Sequence, residues 1–239
     1  MPAPLRAVLI DSLGTLVALD DPVPRLRAEL AGRGFELEEE IVARAFGAEV
    51  AYYVEHHVEG RDQSTLAELR NRCASVLRDE LGVHELSLPD AREALLAALA
   101  FRAFDDAAPA LRELRERGLR LVVVSNWDCS LREVLGSAGL IELVDEVAPS
   151  AEAGAAKPDP RAFEAGLAAA GCSAEEAVHV GDSEENDVAG ATAAGIRPVL
   201  LRRSGEGAGA GGDRAEPGDA GAGSPVPVIA SLAELAAVL

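Results

Sequence analysis

Lysine is all but missing from this chain. It occurs once in 239 residues, at Lys157, against 21 arginines (22 basic residues less that one). A composition so biased keeps a lone lysine where a compact ammonium must sit between several oxygens, a place that arginine's planar fork does not fill. Cysteine is scarce as well. Cys73, Cys129 and Cys172 make neither an even disulfide set nor a paired metal-ligand spacing, which argues against a disulfide framework and suits a reducing cytosol. Basic charge is in the minority, 22 residues against 41 acidic ones, for a formal net charge of −19. Non-specific attraction to nucleic acid or to an anionic membrane surface is therefore not expected, and an anionic small substrate needs a locally positive pocket. No apolar run approaches the roughly 18 residues of a membrane span. The N-terminus lacks the basic segment, apolar stretch and cleavage site of a secretory signal. We expect a soluble, cytoplasmic protein. What is present in quantity is apolar residues, at 49%, ample for the core of one large domain or of a domain carrying a smaller insertion.

Short β-rich runs stand at 7–10, 121–124, 177–180 and 198–201. Between the later runs lie segments with helical spacing. One carries Leu111 and Leu114 and ends at Gly118; the next carries Leu131, Val134 and Leu135 and ends near Gly136 or Gly139. A third starts after Pro160 and carries Phe163 and Leu167 before Gly171, with proline early and glycine late as helices are normally punctuated. This alternation predicts an α/β fold, a doubly wound parallel sheet wrapped by helices. The interval 20–104 has no Val/Ile-rich run. Its apolar residues fall at 26 and 30, at 66, 69, 73, 76 and 77, and at 95, 96 and 99, which reads as helices. The expected organisation is an α/β core from residues 1–19 and 105–239 with an all-helical domain, 20–104, inserted after the first strand. Residues 204–225, rich in Gly, Ala, Asp and Pro, read as a flexible surface excursion without a function. A last strand is expected within 226–229, and Ser231 with Glu234 reads as the capping box of a closing helix. Alanine-rich helices suit a monomer and a homodimer equally.

In an open α/β sheet the ligand crevice lies beyond the carboxyl ends of the strands. Asp11, Ser125 and Asp182 each stand at such an end, and Asp187 follows five residues after Asp182. Acids brought together raise one another's pKa unless a cation intervenes. Magnesium suits a set of oxygen ligands, and Lys157 offsets more of the charge. Taken singly, Asp11 reads as a strand-ending turn residue, Asp182 as a helix N-cap, Asp187 as a solvated helix acid and Lys157 as a loop lysine. Their joint occurrence favours a site.

The residues Asp11-Ser12-Leu13-Gly14-Thr15-Leu16, Ser125-Asn126, Lys157-Pro158, and Gly181-Asp182 followed by Asn186-Asp187 resemble, in order and spacing, the four motifs of the haloacid dehalogenase-like hydrolase superfamily. The helical insertion resembles that family's cap. Each motif alone is weak, but four in order are specific. The resemblance implies that Asp11 is a nucleophile forming an aspartyl-phosphate. It implies Mg²⁺ held by Asp11, the backbone carbonyl of Leu13 and Asp182, with Asp187 in contact with the ion or one layer out. It implies that Ser125 hydrogen-bonds the transferring group and that Lys157 orients Asp11 and screens phosphate charge. Thr15, supporting the first loop, and Asn126 are assigned to the substrate side. Cap residues of the family commonly choose the substrate, which makes Arg61 a candidate for an anionic group, beside Tyr52 and His56.

One position departs from the pattern. Family phosphatases usually carry a second aspartate two residues after the nucleophile, which protonates the leaving oxygen and then activates water; here that residue is Leu13. Losing such assistance costs about 10²- to 10⁴-fold. Branches that cleave carbon–halogen or carbon–phosphorus bonds also lack this acid, and a halide leaves without a proton. Asp182 weighs toward a metal-dependent phosphohydrolase acting on a small phosphorylated metabolite. The alternatives are 2-haloacid dehalogenation and a ligand-binding protein with a degenerate first motif. Asp128 offers a substitute acid, but we read it as a cap of the following helix, with Trp127 packed beneath the insertion. The adjacent His56 and His57 point about 100° apart on a helix and do not chelate one ion; both are expected at the surface, and His179, inside a strand run, is expected to be structural.

Overall fold

The computed structural model describes residues 3–203 and 226–239; the stretch 204–225, read above as a flexible excursion, lies outside the described residues. In chain order the strands are β1 (Ala7–Ile10), β2 (Val17–Leu19), β3 (Phe101–Ala103), β4 (Arg120–Ser125), β5 (Glu146–Pro149), β6 (Ala177–Gly181), β7 (Arg197–Leu201) and β8 (Val228–Ile229). Six of them form a parallel sheet in the order β5-β4-β1-β6-β7-β8. The chain leaves β1 toward β4 and β5 on one side and returns to β6, β7 and β8 on the other. This reversal opens a crevice at the carboxyl ends of β1, β4 and β6.

The central strands are apolar on both faces because both are covered. Val8 and Ile10 of β1 face a cluster with Leu111 and Leu114 of α5 (Ala107–Glu116) and Leu131 of α6 (Leu131–Ser137). Ala7 and Leu9 face the opposite layer, with Phe163 of α8 (Pro160–Ala170) and Ala191 of α9 (Gly190–Ala193). A short α7 (Ser150–Ala153) precedes α8, and α10 (Leu235–Val238) closes the chain after a 3-10 turn, Leu232–Glu234. Ser231 Oγ accepts from the Ala233 amide and donates to Asp106, so it caps this terminus without the expected exchange with Glu234. Among the described residues no helix is long and apolar enough to cross a membrane.

Between β2 and β3 run α1 (Pro22–Gly32), α2 (Glu39–His56), α3 (Gln63–Leu81) and α4 (Leu88–Ala98). Leu26, Leu30, Val42, Leu69, Leu77 and Leu95 bury one another in a separate apolar cluster. The helix ends are locally encoded: Asp62 and Thr65 form a capping box at the start of α3, and Gly82 ends it in the left-handed conformation. Helices alone were expected over 20–104. Phe101–Ala103 is instead a strand, paired antiparallel with Val17–Leu19, so the chain enters and leaves the helical insertion through a two-stranded stem.

The insertion buries an acid the apolar pattern does not reveal. Glu49 on α2 is 5% exposed. Burial pushes its carboxyl up to about 7, a hydrogen bond to Cys73 opposing. The folded chain thus keeps a proton that the unfolded chain releases. Stability is full below the ordinary glutamate value and falls as pH rises through about 7. The loss at full ionisation is on the order of 3 kcal/mol. Glu49→Gln keeps the shape without the charge, so its urea midpoint should exceed that of the wild type at pH 8 and match it at pH 4; equal midpoints at both pH values would show that ionised Glu49 finds water.

Candidate active site

The first loop leaves β1 under tight backbone control. Asp11 N extends the ladder by donating to Val180 O at 2.9 Å, and Ser12 O accepts from the amides of Thr15, Leu16 and Val17 at 3.2, 2.7 and 2.9 Å. Gly14 has φ +82°, and a Cβ there would lie 2.1 Å from Asp182 Oδ2. The turn therefore needs glycine twice, for its left-handed backbone and for its approach to a carboxylate. Leu13 forms a bridge with Val17 and lays its side chain on the apolar core.

β4 ends in Ser125, whose Oγ donates to Asp11 Oδ1 at 3.1 Å. Lys157 arrives from the turn before α8, 5% exposed, and its Nζ donates to Asp11 Oδ1 and to Asp187 Oδ1, both at 2.6 Å. The one lysine ammonium of the chain thus sits between two carboxylates. β6 ends at Gly181, where a Cβ would lie 2.1 Å from the Asp187 carboxyl carbon. The following π-helical turn, Glu184–Ala189, brings Asp187 back beneath Asp182. Asp187 Oδ2 accepts from Ser183 N at 3.0 Å, and its Oδ1 also lies 2.9 Å from His179 Nε2.

Carboxylate oxygens of Asp11, Asp182 and Asp187 lie within 4.8 Å of one another. Burial, then the charges of Asp11 and Asp187, pushes the Asp182 carboxyl up to about 7 against the pull of Lys157. Burial likewise raises Asp11, with Lys157 opposing and Asp187 adding to the rise. For Asp187 burial is outweighed: Lys157 and His179 hold its carboxyl well below the usual range. The Lys157 ammonium is held charged, its own burial overcome by the two aspartates. An all-oxygen cluster in which burial and mutual repulsion raise two members is the donor set that a hard divalent cation relieves.

Asp11, Ser125, Lys157, Asp182 and Asp187 thus converge. Others fall differently. Asn126, assigned to the substrate side, spends its amide on the Lys157 main chain, donating from Nδ2 to Lys157 O at 2.9 Å and accepting from Lys157 N at 2.7 Å. It locks the second loop to the third. Thr15 is fully buried with its hydroxyl unpartnered, and its main chain alone is engaged, the amide by Ser12 O and the carbonyl by Arg203. Arg61 is exposed at the start of α3, and among the described residues its guanidinium makes no hydrogen bond or ion pair. Asp128 does not cap α6 directly, since Ser130 takes the N-cap position. Its Oδ1 accepts from Ser130 N at 2.8 Å, and its Oδ2 accepts from the hydroxyl of Tyr53 on α2 at 3.0 Å. With Cys129 N donating to Gly60 O at 2.9 Å, this fastens insertion to core. Trp127 lies under the stem, edge-on to Phe101 at 5.1 Å. His56 stacks on Tyr52, but His57, expected at the surface, is 5% exposed. Two site neighbours escaped the sequence: His179 on Asp187, and Arg203 on the first loop. A histidine within an apolar strand run was the available signal for the former. Arg203 carried none, being one arginine among many beside a low-complexity stretch.

A family model described as haloacid dehalogenase-like hydrolase matches residues 5–195. The haloacid dehalogenase-like hydrolase domain-containing protein 3 of Homo sapiens is 44% identical over 101 residues, 42% of this chain and 40% of that protein. The phosphoserine phosphatase of Thermus thermophilus is also 44% identical over 101 residues, 42% of this chain and 41% of that one. The chain thus matches about two fifths of the length of these relatives. Among solved structures, a defluorinating L-2-haloacid dehalogenase superposes with a TM-score of 0.72 at 20% identity, covering 100% of this chain and 99% of the other, which is a likeness of fold.

Proposed function

The chain belongs to the haloacid dehalogenase-like hydrolases, and from that membership we propose a magnesium-dependent, cytoplasmic phosphohydrolase acting on a small phosphorylated metabolite through an aspartyl-phosphate. The observation that carries this reading is Asp182 beside Asp11, because a second carboxylate there gives a cation a seat that carbon–halogen chemistry does not need.

Asp11 Oδ1 accepts from both Ser125 and Lys157, which orients the carboxylate and leaves Oδ2 to attack phosphorus. The new bond joins Asp11 Oδ2 to phosphorus while the ester oxygen leaves with its electron pair. Water then attacks phosphorus, the bond to Asp11 breaks with its electron pair returning to the carboxylate, and the proton that water loses passes to solvent, which also protonates the departed ester oxygen. Asp11, Asp182 and the Leu13 carbonyl would hold Mg²⁺, which when bound neutralises charge on the phosphoryl oxygens. Both oxygens of Asp187 are already engaged, so this acid serves chiefly by fixing Lys157 and facing the ion. Ser125 and the Lys157 ammonium supply the positive end of an otherwise acidic molecule. Leu13 offers no proton to the leaving oxygen, so slow turnover or a preference for good leaving groups follows. That same leucine favours a second reading, dehalogenation of a 2-haloacid, in which halide departs unprotonated.

The deciding assay offers the protein 4-nitrophenyl phosphate and a 2-haloacid, each with Mg²⁺ and with a chelator. Phosphate release that the chelator stops is expected. Halide release that the chelator leaves intact would establish the dehalogenase instead, and silence on both substrates would favour a binding protein.

A further inference from the structure

Two residues beyond β7, Arg203 reaches back to the first loop. Its Nε donates to Gly14 O at 3.2 Å and its Nη2 to Thr15 O at 2.7 Å. The far side of the fork meets Asp106, Nη1 to Oδ2 and Nη2 to Oδ1, both at 2.9 Å. The guanidinium lies over the Phe104 ring at 3.8 Å. Asp106 is itself fixed, accepting from Ser231 Oγ at 2.6 Å and Leu232 N at 2.8 Å. Arg203 and Asp106 together thus tie the residues after the stem, the start of α5 and the C-terminal turn to two successive carbonyls of the loop that begins at Asp11.

Gly14 stands between Arg203 on one side and Asp182 on the other. The peptide joining Leu13 to Gly14 has its N–H tied to Val17 O at 2.9 Å, and the peptide that follows has its carbonyl tied to Arg203. Between them is a glycine, the residue that restrains its own backbone least. The fork supplies, on the peptide next to the Leu13 carbonyl, the restraint that glycine does not, at the point where the loop meets Asp182. Lysine has no planar pair of donors for adjacent carbonyls and carboxylate together, nor a flat face for Phe104.

We propose that Arg203 is a positioning residue for the cation site, holding the Leu13–Gly14 segment at the distance from Asp182 that Mg²⁺ requires. The inference rests on the magnesium reading above. Groups that orient ligands from behind typically change metal affinity by about 10- to 100-fold. Arg203→Met and Arg203→Lys are therefore expected to need about tenfold more Mg²⁺ for half of the metal-induced rise in Tm, and the same for half-maximal phosphatase rate, with most of kcat recovered at saturating metal. The lysine variant keeps the charge and guards against an arginine deletion that fails to fold. Thermal unfolding of wild type, both Arg203 variants and Asp182→Asn across a Mg²⁺ series separates the outcomes. If wild type responds, Asp182→Asn does not, and the Arg203 variants respond at the wild-type midpoint with only a lower metal-free Tm, Arg203 is a staple of the fold and the inference is overturned. A wild type indifferent to Mg²⁺ would overturn the metal reading and this inference with it.

Discussion

Asp11→Asn is expected to lose on the order of 10⁴-fold or more of turnover, the scale on which a covalent nucleophile is missed, while unfolding no earlier than the wild type. The two halves of this expectation have separate causes. An amide is a poor nucleophile toward phosphorus and leaves Ser125 and Lys157 orienting nothing reactive. Stability follows the opposite course because the fold does not welcome this charge. Burial and Asp187 raise the Asp11 carboxyl, so the folded chain retains a proton that the unfolded chain gives up. The stability this represents is full below the ordinary aspartate value and shrinks as pH rises through the raised one. Removing the charge at pH 8 removes that cost, and Lys157 keeps Asp187 at 2.6 Å. Phosphate release and thermal unfolding of one preparation check both halves. Activity within tenfold of wild type would end the nucleophile assignment.

Asp11 and Asp182 were legible because each follows an apolar strand run, Asp187 by its spacing from Asp182, and the cation because the chain has a single lysine. The central strands were legible for the same reason that they are central: both faces are buried, so apolar residues run uninterrupted. At the sheet edge that signal fades. β5 reads Glu-Val-Ala-Pro, with one strongly β-forming residue. The stem strands β2 and β3 are three residues each and form by pairing with one another, a partnership across the 81 intervening positions 20–100 that no local window contains. The contacts of Asn126, Asp128, His57 and Arg203 were hidden for a related reason. Asn126 and Arg203 meet backbone groups that distant loops present, Asp128 meets a hydroxyl of the insertion, and the burial of His57 comes from its place between insertion and core. The family resemblance did not help there, since it specifies which residues are present in the motifs and says nothing of what braces them.

Lys157→Met is expected to destabilise the protein by about 3–5 kcal/mol at pH 8, the usual cost of stripping the partner from a buried charge. Lys157 and Asp11 share one ion pair, yet the two substitutions part ways. Loss of Asp11 leaves the ammonium neutralised by Asp187, whereas loss of the ammonium leaves two buried carboxylates on Oδ1 atoms that both faced the same nitrogen at 2.6 Å. Both acids then rise, and the fold favours their protonated forms. The sign of the pH dependence follows: stability is retained in acid and lost as pH rises, so the gap between variant and wild type is widest at pH 8 and narrows toward pH 4. Methionine resembles the lysine stem in length, so a loss equal at both pH values would assign the effect to packing and not to charge. Asp11→Asn placed on Lys157→Met should return part of the lost stability although it adds a second substitution, a coupling that contacting charges show and independent sites do not. Urea unfolding of the four proteins at pH 4 and pH 8 measures it. Simple addition of the two single effects would mean that Lys157 is not what makes ionised Asp11 tolerable in the core, and its place beside Asp11 would then need a reason outside charge balance.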